Sequence, residues 1–325
     1  MQEPPNLDDC QAAARTLAGA IHRTPILSSR TLSRIVGREV YLKAELFQRT
    51  GSFKLRGAIN RVASLTGEER AGGAVTVSAG NHAQAAALAC SEAGVDLVVF
   101  MPRWASATKV AATQGYGATV DLEAADGAEA FARMHSFAAE TGRVVLAPYD
   151  NRRVIAGQGT AGLEICAELP APGAVLVPAS GGGLVAGVAI AVKGHAPRSR
   201  IVAVQPEATG TLRASRRPVI PEAAVPVPVG PTIADALTAP AIGDLCLRVC
   251  AEHVDEVVHV SEEEIRVGMR FLYERAKLAC EAGAAVGVAA LLAGKVSDLG
   301  DGPVIAVISG GNISPQAAAG ILVPA

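Results

Sequence analysis

The sequence predicts an α/β fold built on parallel sheets, on three observations. Short apolar, β-rich runs alternate with longer Ala-rich runs of helical length. Several of the short runs are apolar without interruption, as strands buried on both faces are. The composition, 50% apolar and 18% charged over 325 residues, suits a large core and about two domains.

The elements follow in order. Ala74–Val77 reads as a strand and Asn81–Ala93 as the helix after it. Asp96–Met101, Ser106–Gln114 and Ala118–Leu122 continue as strand, helix and strand. A helix over Ala125–Thr141 and a strand over Val144–Ala147 come next. Ala174–Val177, Ile201–Gln205 and Val304–Ser309 are uninterrupted apolar strands with helices between them. Such alternation argues for parallel layers. Thr66–Gly73, with three glycines, reads as a connection, and another falls near Pro148–Arg153. The four strands between them can form a compact unit. Arg216–Pro231 holds five prolines and reads as an extended surface loop.

Charge and composition exclude several functions. Lys+Arg is 29 against 31 Asp+Glu, a net charge of −2, so a nucleic-acid backbone is a poor partner. Aromatics are 3%, too few for base-stacking platforms. The N-terminal MQEPPNLDDC lacks the basic and apolar regions of a secretory signal. Ala171–Val192 carries no charge and is long enough to span a bilayer. Pro172, Pro178 and Gly181–Gly183 argue instead for a buried strand, a glycine turn and a buried helix, with no membrane partner. The six cysteines form no C-x-x-C pair, and Cys246 and Cys250 have nothing nearby to complete a zinc site. They read as reduced, buried thiols of a cytoplasmic protein.

Four turns carry candidate chemistry. Ser180-Gly181-Gly182-Gly183-Leu184 follows a strand and opens a helix, the arrangement that cradles a phosphate. It lacks the Lys-Ser/Thr of a nucleotide P-loop. Gly181, Gly183 and Ala186 also match G-x-G-x-x-A, so a nicotinamide or flavin site and a purely structural turn both stay open. Lys54, between Phe53 and Leu55 at a helix start, is either a solvated cation or a buried amine able to form an imine with an aldehyde. Ser78-Ala79-Gly80-Asn81-His82 is either a helix cap or a seat for a carboxylate or phenolate oxygen. Ser309-Gly310-Gly311-Asn312 places a hydroxyl at a strand's carboxyl end.

Together these motifs resemble the fold-type II pyridoxal phosphate (PLP) enzymes, above all the threonine/serine dehydratases (ammonia-lyases) and serine racemases. The resemblance runs from Arg23-Thr24-Pro25 through Phe47–Lys54, Ser78–His82, Ile155–Thr160 and Ser180–Leu184. It continues through Thr232–Asp235, Glu281 and Ser309–Asn312. It implies two open twisted α/β domains, the smaller (66–150) inserted in the larger (1–65 and 151–325). It implies that Lys54 carries PLP as a Schiff base, Ser180–Leu184 bind its phosphate, Phe53 packs beside the ring, Asn81 bonds the ring oxygen and Ser309 faces the pyridine nitrogen. Ser78–His82 then receive the substrate carboxylate. The implied reaction is α,β-elimination from L-threonine or L-serine: Lys54 removes the Cα proton, the β-hydroxyl leaves, and the released enamine hydrolyses to a 2-oxo acid and ammonia. The resemblance also carries an expectation of a homodimer.

The chain departs from the pattern in places. Racemases have a serine where Ala79 stands, so dehydration is expected over racemisation. Racemase-type members hold a divalent cation through an acid where Gln205 stands. Gln205 lacks the charge and Glu207 beside it reads as well as a solvated residue, so no metal is assigned. Ser180 replaces the usual first glycine of the phosphate turn. No C-terminal regulatory domain is expected. Tyr149-Asp150 looks more like the dehydratases than the racemases. Neighbouring activities remain as alternatives: serine racemase, 3-hydroxyaspartate dehydratase, a dehydratase-like enzyme of ectoine breakdown and, more distantly, an NAD-dependent oxidoreductase.

Overall fold

The computed structural model describes residues 3–212 and 224–323. Strands are numbered along the chain. The larger sheet has six, in the order β1 (Ile26–Ser28), β2 (Val40–Ala44), β10 (Val304–Ile308), β7 (Ala174–Pro178), β8 (Arg200–Pro206) and β9 (Glu256–Val260). All neighbours are parallel except β1, which runs antiparallel to β2. The second sheet has four parallel strands, in the order β5 (Thr119–Ala124), β4 (Leu97–Pro102), β3 (Ala74–Val77) and β6 (Val144–Val145).

The uninterrupted apolar runs follow from burial on both faces. Successive side chains of a strand point to opposite sides. In β10, Ile305 and Val307 join the core around the helix Gly183–His195. Val304, Ala306 and Ile308 join the core around the helix Ala282–Leu292. Both helices are apolar on nearly every side, as helices enclosed by other layers are. The smaller sheet is sandwiched likewise. Leu97 and Val99 pack toward the helix Asn81–Glu92, and Val75 and Phe100 toward the helix Gly127–Thr141. β5 is its edge and is largely uncovered.

The expected strands lie within two residues of their observed limits. Three strands of the larger sheet, β1, β2 and β9, are absent from the expected set. Thr66–Gly73 is not a plain connection but holds the helix Gly67–Gly72. Its start is a capping box: Thr66 Oγ1 accepts from Glu69 N and Glu69 Oε2 accepts from Thr66 N. Of the proline-rich loop, residues 216–223 lie outside the described residues, and 224–231 form neither helix nor strand. Ala171–Val192 is divided between β7 and the helix from Gly183. No helix among the described residues is long and apolar enough to cross a membrane. The six cysteines are buried, and none is paired in a disulfide.

Candidate active site

Lys54 opens the helix Lys54–Ala63, whose residues Leu55, Ala58 and Val62 enter the core of the smaller sheet. The same helix crosses the helix Arg152–Glu168, where glycines allow backbone contact. A side chain at Gly157 would meet Arg56 O and Gly57 Cα, each at 2.6 Å. Arg56, two residues past Lys54, is fully buried. Its guanidinium donates to both oxygens of Glu45, both oxygens of Glu164 and the Thr160 hydroxyl. Lys43 donates to Glu164 and to Thr24 O, so two buried cations balance two carboxylates. Pairing of this kind is what makes buried charge tolerable.

The turn before Lys54 is stitched to the end of β10. Phe53 N donates to Ser309 O at 3.0 Å, Gly311 N donates to Gly51 O at 2.9 Å, and Ser52 bridges Gly310. Lys54 and Ser309 thereby line one cavity of about 720 Å³, a size suited to a small ligand or cofactor. Phe53, Ser78, Ala79, Gly80, Asn81, His82, Ser180, Gly181, Gly182, Gly183 and Leu184 line it too. Lys54 Nζ donates to Pro148 O at 2.8 Å and lies 5.2 Å from the Phe53 ring centre. Burial pulls its pKa from 10.5 down to about 8, against the opposing influence of Cys246 and Glu281. Such an amine is available as a nucleophile and as a base near neutrality.

The glycine turn after β7 is shaped by close approach. A side chain at Gly181 would overlap the Tyr149 ring, and one at Gly182 would meet Cys246 Cβ at 2.6 Å. Gly182 also has φ +94°, in the left-handed region. Gly243 N donates to Gly181 O, and Ala239 N to the Ser180 hydroxyl, each at 3.0 Å. The first N–H groups of a helix have no partner within it and carry partial positive charge. Here they open onto the cavity, so the turn fits an anionic group. Tyr149 and Asp150 support it from behind. Asp150 accepts from the N–H groups of Asp244, Leu245 and Cys246 and so caps the helix Asp244–His253.

Gln205 lies beneath this turn and is fully buried. Its amide donates to Ala179 O at 3.2 Å and to Thr211 Oγ1 at 2.9 Å, and its oxygen accepts from Leu212 N. Glu207 sits 3.6 Å from Lys295 on the surface. No cluster with metal-ligand character occurs among the described residues.

In the Ser78–His82 turn, the Ser78 hydroxyl accepts from Gly80 N at 3.2 Å. Gly80 borders open space where a side chain would stand. The His82 ring does not turn to the cavity for its bonds. Its Nε2 lies 2.9 Å from Thr76 Oγ1 and 3.2 Å from Leu146 O. Thr76 Oγ1 gives its own proton to Leu146 O, so Nε2 of His82 is the donor. Burial, helped by Lys54, lowers the His82 pKa from 6.5 to about 3 and keeps the ring neutral.

Several lining residues have no role assigned by the sequence. Glu281, which precedes the helix Ala282–Leu292, accepts from Asn81 Nδ2 at 2.8 Å. Burial raises its pKa from 4.5 to about 7, with Asp235 adding to the effect. At the mouth, Lys109 from the smaller sheet's side donates to Asp235 from the larger at 2.8 Å, beside exposed Trp104. These groups meet only through the fold, with 126 residues separating Lys109 from Asp235.

A buried nucleophilic amine, an anion-binding turn and a second polar turn around one cavity fit an aldehyde cofactor with an anionic tail. Comparison with known proteins agrees. The chain is 44% identical over 307 residues to an L-threonine ammonia-lyase of Thermotoga maritima, covering 94% of this chain and 75% of that one. It resembles the solved structure of maize serine racemase, with TM-score 0.89, 34% identity and coverage of 96% and 95%. It also resembles the solved threonine deaminase of T.th., with TM-score 0.87, 36% identity and coverage of 95% and 99%. The profile of the pyridoxal-phosphate dependent enzymes matches residues 17–310, and the chain belongs to that family.

Proposed function

We propose that the protein is an ammonia-lyase acting on neutral hydroxyamino acids, L-threonine and L-serine foremost, and releasing a 2-oxo acid and ammonia. The observation that carries the reading is the Lys54 amine, lowered to about 8, facing the same cavity as the turns Ser180–Leu184 and Ser78–His82. The relatives named for threonine ammonia-lyase and threonine deaminase support the reaction class.

Bound PLP supplies an aldehyde that condenses with an amine and a ring that draws electrons from Cα. In this reading Ser180, Gly181, Gly182, Gly183 and Leu184 hold the phosphate. Phe53 packs beside the ring, Asn81 donates to the ring oxygen, and Ser309 presents its hydroxyl to the pyridine nitrogen. A neutral hydroxyl does not enforce a charged ring, which favours brief charge at Cα and prompt elimination. Ser78, Ala79, Gly80 and Asn81 receive the substrate carboxylate, and His82 braces the turn. Lys54 would take the Cα proton and hand it to the departing β-hydroxyl, which leaves as water.

Two features narrow the activity. Ala79 has no exchangeable proton to return on the face away from Lys54, which favours elimination over racemisation. Among the described lining residues the cations are Lys54 and Lys109, and Lys109 is held by Asp235. Among the described residues a carboxylate on the substrate side chain therefore finds no cation outside these two, which favours the neutral substrates over 3-hydroxyaspartate. The same reading divides the chain into a large domain (1–65 and 151–325) around the six-stranded sheet and a small one (66–150) around the four-stranded sheet. It also takes the protein to be a homodimer and cytoplasmic, and six cysteines outside any disulfide suit that compartment.

The test is 2-oxo acid release from L-threonine, L-serine, their D forms and both 3-hydroxyaspartate diastereomers. Release from the first two is expected, together with a visible absorbance band that borohydride shifts and Lys54→Ala abolishes. Release from hydroxyaspartate alone, or full activity in Lys54→Ala, overturns the reading.

A further inference from the structure

Three stretches of chain far apart in sequence meet at one amide. Asn312 Nδ2 donates to Thr50 O and to Asn81 Oδ1, each at 2.8 Å, which uses both of its hydrogens and fixes its orientation. Asn81 must then turn its oxygen toward Asn312 and its nitrogen the other way. There Asn81 Nδ2 donates to Glu281 Oε1 at 2.8 Å. One Nδ2 hydrogen of Asn81 remains, on a residue that lines the cavity.

The glycines record how tightly this is built. A side chain at Gly310 would meet Glu281 Oε1 at 2.6 Å and Asn81 Nδ2 at 3.3 Å. One at Gly51, whose φ is +73°, would overlap Asn312 Oδ1. The approach to Glu281 is costly in backbone terms. A π-helical turn, Leu272–Ala276, is followed by Lys277 at φ +60°. Such conformations persist where the surroundings over-determine them, often at functional sites. The charged groups facing Glu281 are Asp235, Lys109 and Lys54.

We propose that Glu281 and Asn312 are positioning residues that lock the Asn81 amide, presenting its remaining N–H to the ring oxygen of bound PLP. The proposal rests on the reading of Asn81 as the ring-oxygen donor. Without the lock the amide is free to flip and turn its carbonyl oxygen to another oxygen, replacing attraction with repulsion.

The test titrates PLP into the cofactor-stripped protein and follows the dissociation constant and the visible band with pH. Asn312→Asp sets a carboxylate against Asn81 Oδ1 and should weaken PLP about tenfold and displace the band, the size of one hydrogen bond. Glu281→Ala should do the same, while Glu281→Gln keeps an acceptor and should stay within about threefold of the wild type. The double variant Asn81→Ala/Asn312→Asp should bind no worse than Asn81→Ala alone, since the lock then has nothing to hold. If Asn81→Ala shifts binding and band while Asn312→Asp and Glu281→Ala match the wild type, the lock is overturned and the role of Asn81 stands. If Asn81→Ala itself changes nothing, the role of Asn81 falls and the lock with it. Thermal melts separate misfolding from weak binding, and the near-isosteric Asn312→Asp and Glu281→Gln keep the comparison within folded protein.

Discussion

The ring of Tyr149 occupies the space that a side chain on Gly181 would need. The ring cannot simply move away, because its hydroxyl donates to Ala241 O at 3.3 Å and its backbone leads straight into the Asp150 cap. Gly181→Ala is therefore expected to displace the phosphate turn. Overpacking of this kind costs about 1–3 kcal/mol. The loss should appear chiefly as weaker PLP binding, read by titrating the cofactor into the stripped protein. A variant that binds PLP as tightly as the wild type removes the steric account of this glycine.

Arg56 anchors the helix that carries Lys54. Removing one member of a buried ion network leaves its partners charged and uncompensated, at about 3–5 kcal/mol. Arg56→Met should thus destabilise strongly, stranding Glu45 and Glu164. Glu164→Gln keeps the shape but unbalances Lys43 and Arg56 and should also destabilise. Urea unfolding of each variant measures this, and the double variant Arg56→Met/Glu164→Gln should be less destabilised than the sum of the two. Additive losses mean that the pair is not coupled.

Two lining groups give the stripped protein a pH signature. Glu281, raised from 4.5 to about 7, holds a proton in the fold that the unfolded chain has released. Across that window its contribution to stability falls as pH rises. Lys54, lowered from 10.5 to about 8, has the reverse effect: the unfolded chain keeps a proton that the fold gives up. Stability due to Lys54 therefore climbs between pH 8 and 10.5. At pH 7 the buried ammonium is a burden, so Lys54→Met should stabilise the stripped protein by up to about 3 kcal/mol while losing the cofactor's visible band. Melting temperatures from pH 4 to 11 test both limbs. An unchanged acid limb in Glu281→Gln contradicts the assignment.

Local signals make part of this molecule legible. The strands β7 and β10 can be read because each is apolar throughout, β3 because its apolar run is broken only by β-branched Thr76, and the turns after them because glycine and small polar residues cluster there. β2 hides itself: a lysine, Lys43, interrupts its apolar run, and its burial depends on partners distant in sequence, Thr24 O and the carboxylate of Glu164, 121 residues away. β1 has only three residues, too few to show a period. Glu281 belongs to the resemblance without a role, since its partner Asn81 lies 200 residues away. Gly51 and Gly310 signal that something passes close by, but not what.

Ala79 sets the last prediction. It stands in the turn Ser78–His82, on the cavity wall, beside Gly80 with open space at its α-carbon. Its methyl group neither donates nor accepts a proton. Ala79→Ser adds a hydroxyl without a large increase in volume, in a turn whose backbone already tolerates serine at position 78. If proton return from this face is what the wild type lacks, the variant should racemise L-serine at a rate raised by about 10²-fold, the lower range for a positioned acid–base group. Its lyase rate should fall, because the two outcomes compete for the same charge at Cα. Chiral chromatography of serine after incubation, alongside 2-oxo acid release, measures both. A variant with wild-type lyase activity and no D-serine shows that Ala79 does not divide the two reactions, and that the far face is closed to proton transfer by something other than a missing hydroxyl.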